Sequence, residues 1–454
     1  MSVDTQPSRS DQSEAPTRRR TVGATRVVLG SLLAGAMTAL ALALAVFPGA
    51  TEAVITGSLL LGFGVGWALM TVLSVRITTQ PLRWAAVPAT AMISAGLGLM
   101  VSAPDDSTLR ALAWVWPPAL VALVAWVSVQ MRRDLPRRGR WLLTPVLVVL
   151  AACSVGAVAQ NISTTATEEE FPAPGKTYAV GDHRLHLDCR GEGSPTVVLF
   201  NGLGEISASW ARITQAMGST TRVCAYDRAG QAWSEDVAEP QDGVTAAKDL
   251  HALLEQAGEE GPYVLVGHSI GGPYAMTYAA QYPGQVAGMV LLDSSSPRQL
   301  TEIPAYPMQY ALMRRGLALL PTLARVGVSR LISPVPDLPG EAAERVAAMT
   351  SATRAFRNGR DELATIPTLF EQAQALTTLR DLPLAVLTAS ENLGDEGWLA
   401  EQDRMAALST NHVHRVIESS HDGLVSGEGP AAESVRAIVE VVTAARSGSP
   451  LAAD

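Results

Sequence analysis

The segment PYVLVGHSIGG, residues 262–272, carries the strongest structural signal in this chain. It opens with an apolar run typical of a buried strand, passes through Gly-x-Ser-x-Gly and continues into a helical pattern. The glycines beside Ser269 fit a turn too tight for larger side chains, and such a turn lifts the serine hydroxyl above the edge of a sheet. The segment therefore predicts a strand, a nucleophile elbow and a helix, with Ser269 as the nucleophile in preference to a structural serine.

The sequence around this segment alternates short apolar runs with helical patterns, which predicts a mostly parallel sheet with helices on both faces. Predicted strands cover 183–189, 196–200, 222–226, 263–266, 286–292, 384–388 and 413–417. Predicted helices lie near 207–217, 244–257, 272–282, 398–409 and 431–445. Residues 297–380 lack a strand rhythm and are predicted to form a helical cap, with helices over 306–313, 317–326 and 341–356. The whole α/β domain is predicted to cover residues 177–448.

A serine nucleophile needs a base, and the base needs an orienting acid. His421 follows the last predicted strand, at the sheet edge where Ser269 also emerges, and is the predicted base. Asp293 directly follows the strand at 286–292 and is the predicted acid. Asp395 and Glu391, after the strand at 384–388, are the alternatives, because both locations preserve the chain order serine, acid, histidine.

Other histidines are given different roles. His183 and His186 are expected to face the surface or to pack, and His268 is expected to point away from the nucleophile. An oxyanion hole needs two inward N–H groups. Ile270 is predicted to supply one, and the glycine-containing loop at 200–204 the other.

These motifs resemble the α/β-hydrolase superfamily, in its single-domain esterase-like branch, over about residues 177–446. The shared motifs are Asn201–Gly204, Tyr226–Ser234, Gly267–Gly272 and Ser420–Asp422. The resemblance implies an eight-stranded sheet, a cap from about residue 297, and Ser269 and His421 as nucleophile and base. It also implies that the N–H groups of Leu203 and Ile270 stabilise the oxyanion. Asp227, Arg228 and Ser234 would be structural.

The chain departs from the common pattern of this superfamily at four positions: Asn201, Gln231, Asn392 and Ser420. Asn392 stands where the acid commonly follows the seventh strand, which favours Asp293 as the acid. Relatives with an aspartate nucleophile, the epoxide hydrolases and haloalkane dehalogenases, are disfavoured because position 269 is serine.

The first part of the chain has a different composition. Residues 1–160 contain 13 arginines, no lysine and 7 acidic residues, whereas residues 161–454 contain 21 basic and 36 acidic residues. No Asp, Glu, Lys, Arg or His occurs in 27–51, 53–75, 84–104, 111–131 or 141–167. Because about 20 apolar residues span a bilayer as a helix, the sequence predicts a transmembrane domain of about five helices over 26–160, with a disordered cytoplasmic tail at 1–25 and a linker at 161–176.

The arginines also predict orientation. They cluster in the N-terminal tail and in the second and fourth breaks between spans, which places the N-terminus in the cytoplasm and the α/β domain outside. The spans contain no ionisable residue, so an anchor is favoured over an ion pathway. Pro117 and Pro118 are expected to kink the fourth span. Leu150–Cys153 mimics a lipoprotein signal, but such signals sit at the chain start, so lipidation of Cys153 is not expected.

Taken together, these patterns predict a membrane-anchored extracytoplasmic serine hydrolase that cleaves carboxylic esters, with lipid or cell-envelope esters as candidate substrates. A non-catalytic sensor of the same fold and a thioesterase or amidase with the same triad are the alternatives. A net charge of -9 argues against nucleic acid as a partner. No metal or phosphate motif occurs, so no cofactor and no metal are expected. A disulfide between Cys189 and Cys224 and two buried free thiols are both compatible with the sequence.

Overall fold

Two structural units follow one another in the computed structural model, which describes residues 23–333 and 335–452. The predicted cytoplasmic tail lies outside the described residues up to residue 22. The first unit is helical. Its helices are α1 (Ala24–Ala41, continued by a π-helical turn at Leu42–Val46), α2 (Glu52–Ile77), α3 (Ala86–Ser102), α4 (Asp106–Leu112), α5 (Trp116–Asp134) and α6 (Arg137–Glu170).

These helices have the length and composition of membrane spans. Four are long and apolar enough to cross a bilayer, and α4 with α5, bent by 43°, forms a fifth if the pair is one span. The bend falls at Ala113–Val115, directly before the predicted kink at Pro117 and Pro118. Most of the large apolar side chains that the structure leaves exposed lie on α1–α6. The prediction of about five apolar helices of this kind is confirmed as four to five.

Glycine allows the first three helices to approach closely. A Cβ on Gly62 would lie 2.3 Å from the Ala39 nitrogen of α1, and one on Gly57 would lie 2.7 Å from the Gly96 oxygen of α3. Small residues at helix crossings let backbones pack by van der Waals contact inside a bilayer. The glycines of α2 therefore serve packing within this chain.

The predicted linker at 161–176 is wrong over most of its length, because α6 continues to Glu170. Tertiary contacts explain the difference: the side chains of Gln160 and Asn161 are buried, and Glu168 pairs with Arg110 of α4 at 3.1 Å. A polar stretch can remain helical when packing supplies the stability that composition does not.

The second unit contains an eight-stranded sheet. Its strands are β1 (Lys176–Val180), β2 (His183–Arg190), β3 (Thr196–Phe200), β4 (Val223–Asp227), β5 (Tyr263–His268), β6 (Val286–Leu292), β7 (Leu384–Ala389) and β8 (His412–Ile417). The order is β1-β2-β4-β3-β5-β6-β7-β8. The pairs β1–β2 and β2–β4 are antiparallel, and the other pairs are parallel. Sequence patterns did not predict β1, which is partly exposed and has only one buried residue.

Helices cover both faces of this sheet. They are α7 (Ala211–Met217), α8 (Gly243–Ala257), α9 (Gly271–Gln281), α15 (Trp398–Ala406), α16 (Gly423–Ser426) and α17 (Glu428–Ser447). One buried cluster joins the sheet to α8 and α9. The other joins it to α7 and α17. Strands β3 to β7 are buried on both sides, which accounts for their continuous apolar runs.

The cap lies between β6 and β7. It comprises α10 (Gln299–Glu302), α11 (Tyr306–Arg325), α12 (Ser329–Ile332), α13 (Glu341–Thr350) and α14 (Thr353–Ala373). The two predicted helices at 306–313 and 317–326 form the single helix α11, and the predicted helix at 341–356 divides at Ser351 and Ala352. The helical cap itself is present as expected.

The cap contacts the membrane domain through ion pairs that are mostly shielded from solvent. Arg325 of α11 bonds both to Glu52 at the start of α2 and to Asp106 at the start of α4. Arg357 of α14 reaches the same Asp106 at 2.7 Å. The start of α2 and the start of α4 therefore lie on the side of the second unit.

A disulfide joins β2 to β4. Cys189 and Cys224 are direct cross-strand partners with Cα atoms 4.0 Å apart, so their side chains meet on one face of the sheet. Cys153 is a free thiol within α6.

Candidate active site

Ser269 lies on the turn that joins β5 to α9. Its φ is +54°, an unusual value for a residue with a side chain. Three neighbouring glycines make this turn possible. A Cβ on Gly267 would lie 2.6 Å from the Gly272 backbone, and one on Gly271 would lie 2.1 Å from the Phe200 carbonyl oxygen. The Gly-x-Ser-x-Gly pattern is thus required by close backbone packing, and the turn leaves Ser269 partly exposed.

The parallel register brings the predicted catalytic residues to one edge of the sheet. His268 pairs with Leu292, so Ser269 and Asp293 each follow directly on neighbouring strands. Ile417 at the end of β8 pairs with Ala389 at the end of β7. His421 follows four residues later, at the same carboxyl edge. Ligand sites of parallel α/β sheets form at this edge.

His421 and Asp293 are in direct contact. Nδ1 of His421 lies 2.6 Å from Oδ2 of Asp293. Asp293 is fully buried, whereas the His421 side chain is 31% exposed. A carboxylate only accepts hydrogen bonds, so this contact fixes the proton on Nδ1 and leaves Nε2 with its lone pair. The imidazole is therefore held in the tautomer that a general base needs.

Three further donors hold the Asp293 carboxylate. The Asn392 side chain donates to Oδ2 at 2.5 Å, and the Ala389 N–H and the Trp398 indole N–H donate to Oδ1, each at 3.1 Å. Asn392, at the position where the resemblance commonly places the acid, thus bonds to the Asp293 carboxylate on the neighbouring strand.

The two alternative acids lie elsewhere. Glu391 is exposed and accepts the backbone N–H of His421 at 2.7 Å, without a contact to the imidazole. Asp395 is exposed, and its backbone N–H donates to the Asn392 carbonyl. The structure brings Asp293 to the His421 ring and leaves Asp395 away from it.

The predicted oxyanion loop packs against the elbow. A Cβ on Gly202 would lie 3.1 Å from the Ser269 Cβ, which places the loop backbone beside the serine. Ile270 immediately precedes α9, where N–H groups are free of helical partners. Among the described residues, the N–H groups of Leu203 and Ile270 have no acceptor within the chain. Both remain predictions for the oxyanion hole.

Two departures from the family pattern compensate each other. The Asn201 side chain donates to the Gln231 side chain and to the Tyr226 carbonyl, each at 2.9 Å, and accepts from the Trp210 indole at 2.8 Å. Arg228 adds bonds to the Asn201 and Gly202 carbonyls. Asparagine at position 201 therefore anchors the loop through its side chain.

The structural residues implied by the resemblance do hold the loop after β4. Ser234 donates to the Asp227 carbonyl at 2.6 Å. The Asp227 carboxylate bonds to the Ser207 hydroxyl at 2.9 Å and to Nδ1 of His186 at 2.7 Å. His186, one of the histidines expected to face the surface or to pack, is fully buried and has this packing role.

Sequence reasoning missed one charged pair beside the nucleophile. Nδ1 of His268 lies 2.9 Å from Oε1 of Glu205. The other Glu205 oxygen accepts the Gly202 N–H, and Nε2 of His268 lies 3.1 Å from the His421 carbonyl oxygen. The pair thus links the oxyanion loop to the elbow and to the histidine loop. The sequence offered two signals for this pair: an acidic residue four positions after Asn201 and a histidine inside the elbow.

Both members of this pair are charged at neutral pH. Burial lowers the pKa of His268, but the Glu205 carboxylate outweighs this effect and raises the pKa to about 9. Burial raises the pKa of Glu205, and the charge of His268 outweighs it, so that this pKa lies below its usual value. A buried pair of this kind is costly to break, because the remaining charge has no partner.

The same region contains a cluster of potential metal ligands. His268, His421 and Asp422 place ligand atoms within 4.8 Å of one another. The ring nitrogens of His268 already face Glu205 and the His421 carbonyl, and Nδ1 of His421 faces Asp293. Metal ligation requires neutral imidazoles, so these residues fit an ion pair and a triad better than a metal site.

Residues 195–328 match the family model described as alpha/beta hydrolase fold. The C-terminal unit is an α/β-hydrolase-fold domain. The Cif epoxide hydrolase from Acinetobacter nosocomialis has a similar fold, with a TM-score of 0.52 and 15% identity over 62% of this chain and 96% of that chain.

Sequence relatives extend the similarity. An uncharacterized protein of Schizosaccharomyces pombe is 27% identical over 366 residues, which cover 72% of this chain and 65% of the yeast protein. The lipase LipV of Mycobacterium tuberculosis is 38% identical over 110 residues, covering 24% of this chain and 41% of the lipase. The chain therefore spans about two thirds or less of these relatives. The hydrolase fold and these similarities support a hydrolase, joined here to helices of membrane-span length.

Proposed function

We propose that this chain is a membrane-anchored serine hydrolase that cleaves carboxylic esters. The observation that carries this proposal is the 2.6 Å contact between His421 and Asp293, at the sheet edge where Ser269 emerges on its strained turn. A nucleophile, a base in the correct tautomer and a buried orienting acid are the three parts of a serine hydrolase triad.

The proposed reaction proceeds by acyl transfer. Nε2 of His421 removes the Ser269 proton as the serine oxygen attacks the ester carbonyl, and the N–H groups of Leu203 and Ile270 stabilise the oxyanion. The alcohol then leaves with the proton from His421, which produces an acyl-enzyme. Water, deprotonated by His421, attacks this intermediate. His421 then returns that proton to the Ser269 oxygen as its bond to the acyl group breaks, which releases the carboxylic acid and restores the starting state.

Two observations support an extracytoplasmic location for the hydrolase domain. Arginines cluster in the connections α2–α3 and α5–α6, at the opposite ends of the spans from the ion pairs with the cap, and such clusters favour the cytoplasm. The Cys189–Cys224 disulfide fits an oxidising compartment.

Steady-state hydrolysis of a soluble short-chain p-nitrophenyl ester tests the proposal. The Ser269→Ala variant is expected to lose at least 1,000-fold in kcat, as observed for removal of a triad member in general. Ser219→Ala, at an exposed serine, is the matched control and is expected to retain wild-type activity. Equal turnover by wild type and Ser269→Ala would contradict the proposal.

A further inference from the structure

Cap helix α11 has two apolar faces. Tyr306, Tyr310, Met313 and Leu317 pack against the hydrolase core, to which Leu203 of the predicted oxyanion loop also packs. The other face contacts the membrane domain: Ala318 forms a buried cluster with Ala43 of the turn after α1 and Ile55 of α2. The helix therefore lies between the catalytic domain and the membrane spans.

Polar contacts fix α11 at the ends of the first two spans. The Thr322 hydroxyl lies 2.8 Å from the Thr56 hydroxyl. Arg315 donates to the Leu44 carbonyl at 3.2 Å, where the first span ends and carbonyl groups lack helical partners. An arginine beside the end of a membrane span can keep its charged group at the membrane interface while its methylene groups pack on apolar surface.

The membrane-facing side of α11 continues beyond the spans. Met308 and Leu312 precede Arg315 and Leu319 by seven residues each, and residues seven apart share a helix face. Leu319 packs in the cluster with Ile55, but Met308 is 72% exposed and Leu312 is 62% exposed. Seven residues of helix correspond to about 10 Å. An apolar surface of that length therefore extends from the spans, and no residue among 23–333 and 335–452 covers it.

Exposed large apolar residues of the second unit are most numerous in the cap. Eight large apolar side chains of the part described after Glu170 are exposed, and five belong to the cap: Met308, Leu312, Leu323, Leu331 and Val335. A soluble surface distributes such residues singly, whereas a concentration of them marks an interaction site. Because α11 packs against helices of membrane-span length, a bilayer is the surface that its uncovered apolar side fits.

We propose that α11 is an interfacial helix, with Met308 and Leu312 inserted among the acyl chains of the leaflet on the hydrolase side. Amphipathic helices with basic residues and an apolar face bind bilayers in this manner. It follows, on the basis of the proposed function, that the substrate is a membrane-lipid ester drawn from this leaflet, since the opposite face of the same helix packs against the catalytic domain.

Spin-label accessibility in the full-length protein tests the insertion without reference to activity. Two variants are prepared, Met308→Cys and Leu312→Cys, each in a Cys153→Ala background. Each variant is reconstituted into phosphatidylcholine–phosphatidylglycerol vesicles, and its introduced cysteine is then labelled with a nitroxide. The control is Val416→Cys, at an apolar residue on edge strand β8 that is 47% exposed. The ratio of oxygen collisions to nickel-chelate collisions is expected to be at least threefold higher for labels at residues 308 and 312 than for the label at residue 416.

The insertion would be overturned if the labels at 308 and 312 were as accessible to the nickel chelate as the label at residue 416. It would also be overturned if both labels were shielded from both reagents, because that result indicates a protein partner.

The substrate class is tested by the double variant Met308→Gln with Leu312→Gln. Its ratio of turnover on a long-chain ester in vesicles to turnover on a soluble short-chain ester is expected to fall about tenfold. An unchanged ratio would overturn lipid supply, whereas no turnover of either ester by wild type would refute the hydrolase proposal and leave the spin-label result intact.

Discussion

Replacement of Asp293 by asparagine is expected to abolish most of the activity while Ser269 and His421 remain in place. The two carboxylate oxygens of Asp293 accept four hydrogen bonds, two at each oxygen. An asparagine has only one accepting oxygen, so its NH₂ group must face two donors in either orientation. Facing Ala389 and Trp398, the NH₂ group would leave two buried donors without acceptors, at a cost of about 2–6 kcal/mol of unfolding free energy. Facing the partners of Oδ2, it leaves only the Asn392 amide without an acceptor, because Nδ1 of His421 can accept, so this second orientation is expected.

The effect on catalysis follows from the tautomer of His421. With the amide nitrogen at the position of Oδ2, Nδ1 must accept and the proton moves to Nε2, which can no longer take the serine proton. A loss of about 10⁴-fold in kcat is expected, equivalent to about 5.5 kcal/mol in the activation free energy.

The assay is ester turnover at saturating substrate, with thermal unfolding followed by circular dichroism to confirm that the variant is folded at the assay temperature. Asp395→Asn serves as the control and is expected to change kcat less than twofold, because this residue is exposed and away from the His421 ring. The reasoning is refuted if Asp293→Asn keeps its activity while Asp395→Asn or Glu391→Gln loses it.

Three further outcomes are expected. In thermal unfolding, Glu205→Gln should lower Tm most below pH 6.5 and progressively less towards pH 9. The reason is that the pKa of His268 rises from 6.5 to about 9 on folding, so the stabilisation by Glu205 is lost as His268 deprotonates. A Tm difference between wild type and variant that does not shrink towards pH 9 would contradict this expectation. Reduction of the Cys189–Cys224 disulfide, which closes a loop with a sequence separation of 35, should cost about 4 kcal/mol in denaturant unfolding, and an unchanged midpoint would argue against the bond. Arg325→Ala should destabilise the protein by about 3–5 kcal/mol, because the change leaves the Glu52 carboxylate unpaired; an effect as small as that of Arg436→Ala, at an arginine that is 62% exposed, would contradict it.

Much of the fold was accessible from the sequence because its strongest signals are local. The runs that became β3, β5 and β6 are buried on both faces, so their sequences are almost wholly apolar. The β1 strand lies at the sheet edge and lacks that pattern. The end of α6 was also missed, since its polar residues 161–170 stay helical through contacts with distant parts of the chain.

The candidate site also combines residues that the sequence marks locally with contacts that only the tertiary fold brings together. Ser269 is marked by a local motif, and Asp293 and His421 by their positions after strands. Glu205 also follows a strand, but nothing local identifies its partner, because His268 is 63 residues away along the chain and only the tertiary fold brings them together. Likewise, the bond from Asn392 to Asp293 joins residues separated by 99 positions, so the sequence showed Asn392 only as a departure from the common pattern.

Labelling with a fluorophosphonate tests the central claim, that Ser269 is activated by His421, most directly. The purified full-length protein is treated with the probe, digested, and mapped by mass spectrometry, alongside Ser269→Ala and His421→Gln. The account predicts a single phosphonylated peptide containing Ser269 in the wild type, no adduct in Ser269→Ala, and labelling slowed by at least 100-fold in His421→Gln. An unlabelled Ser269 in folded wild-type protein, or an adduct that persists in Ser269→Ala, would contradict it.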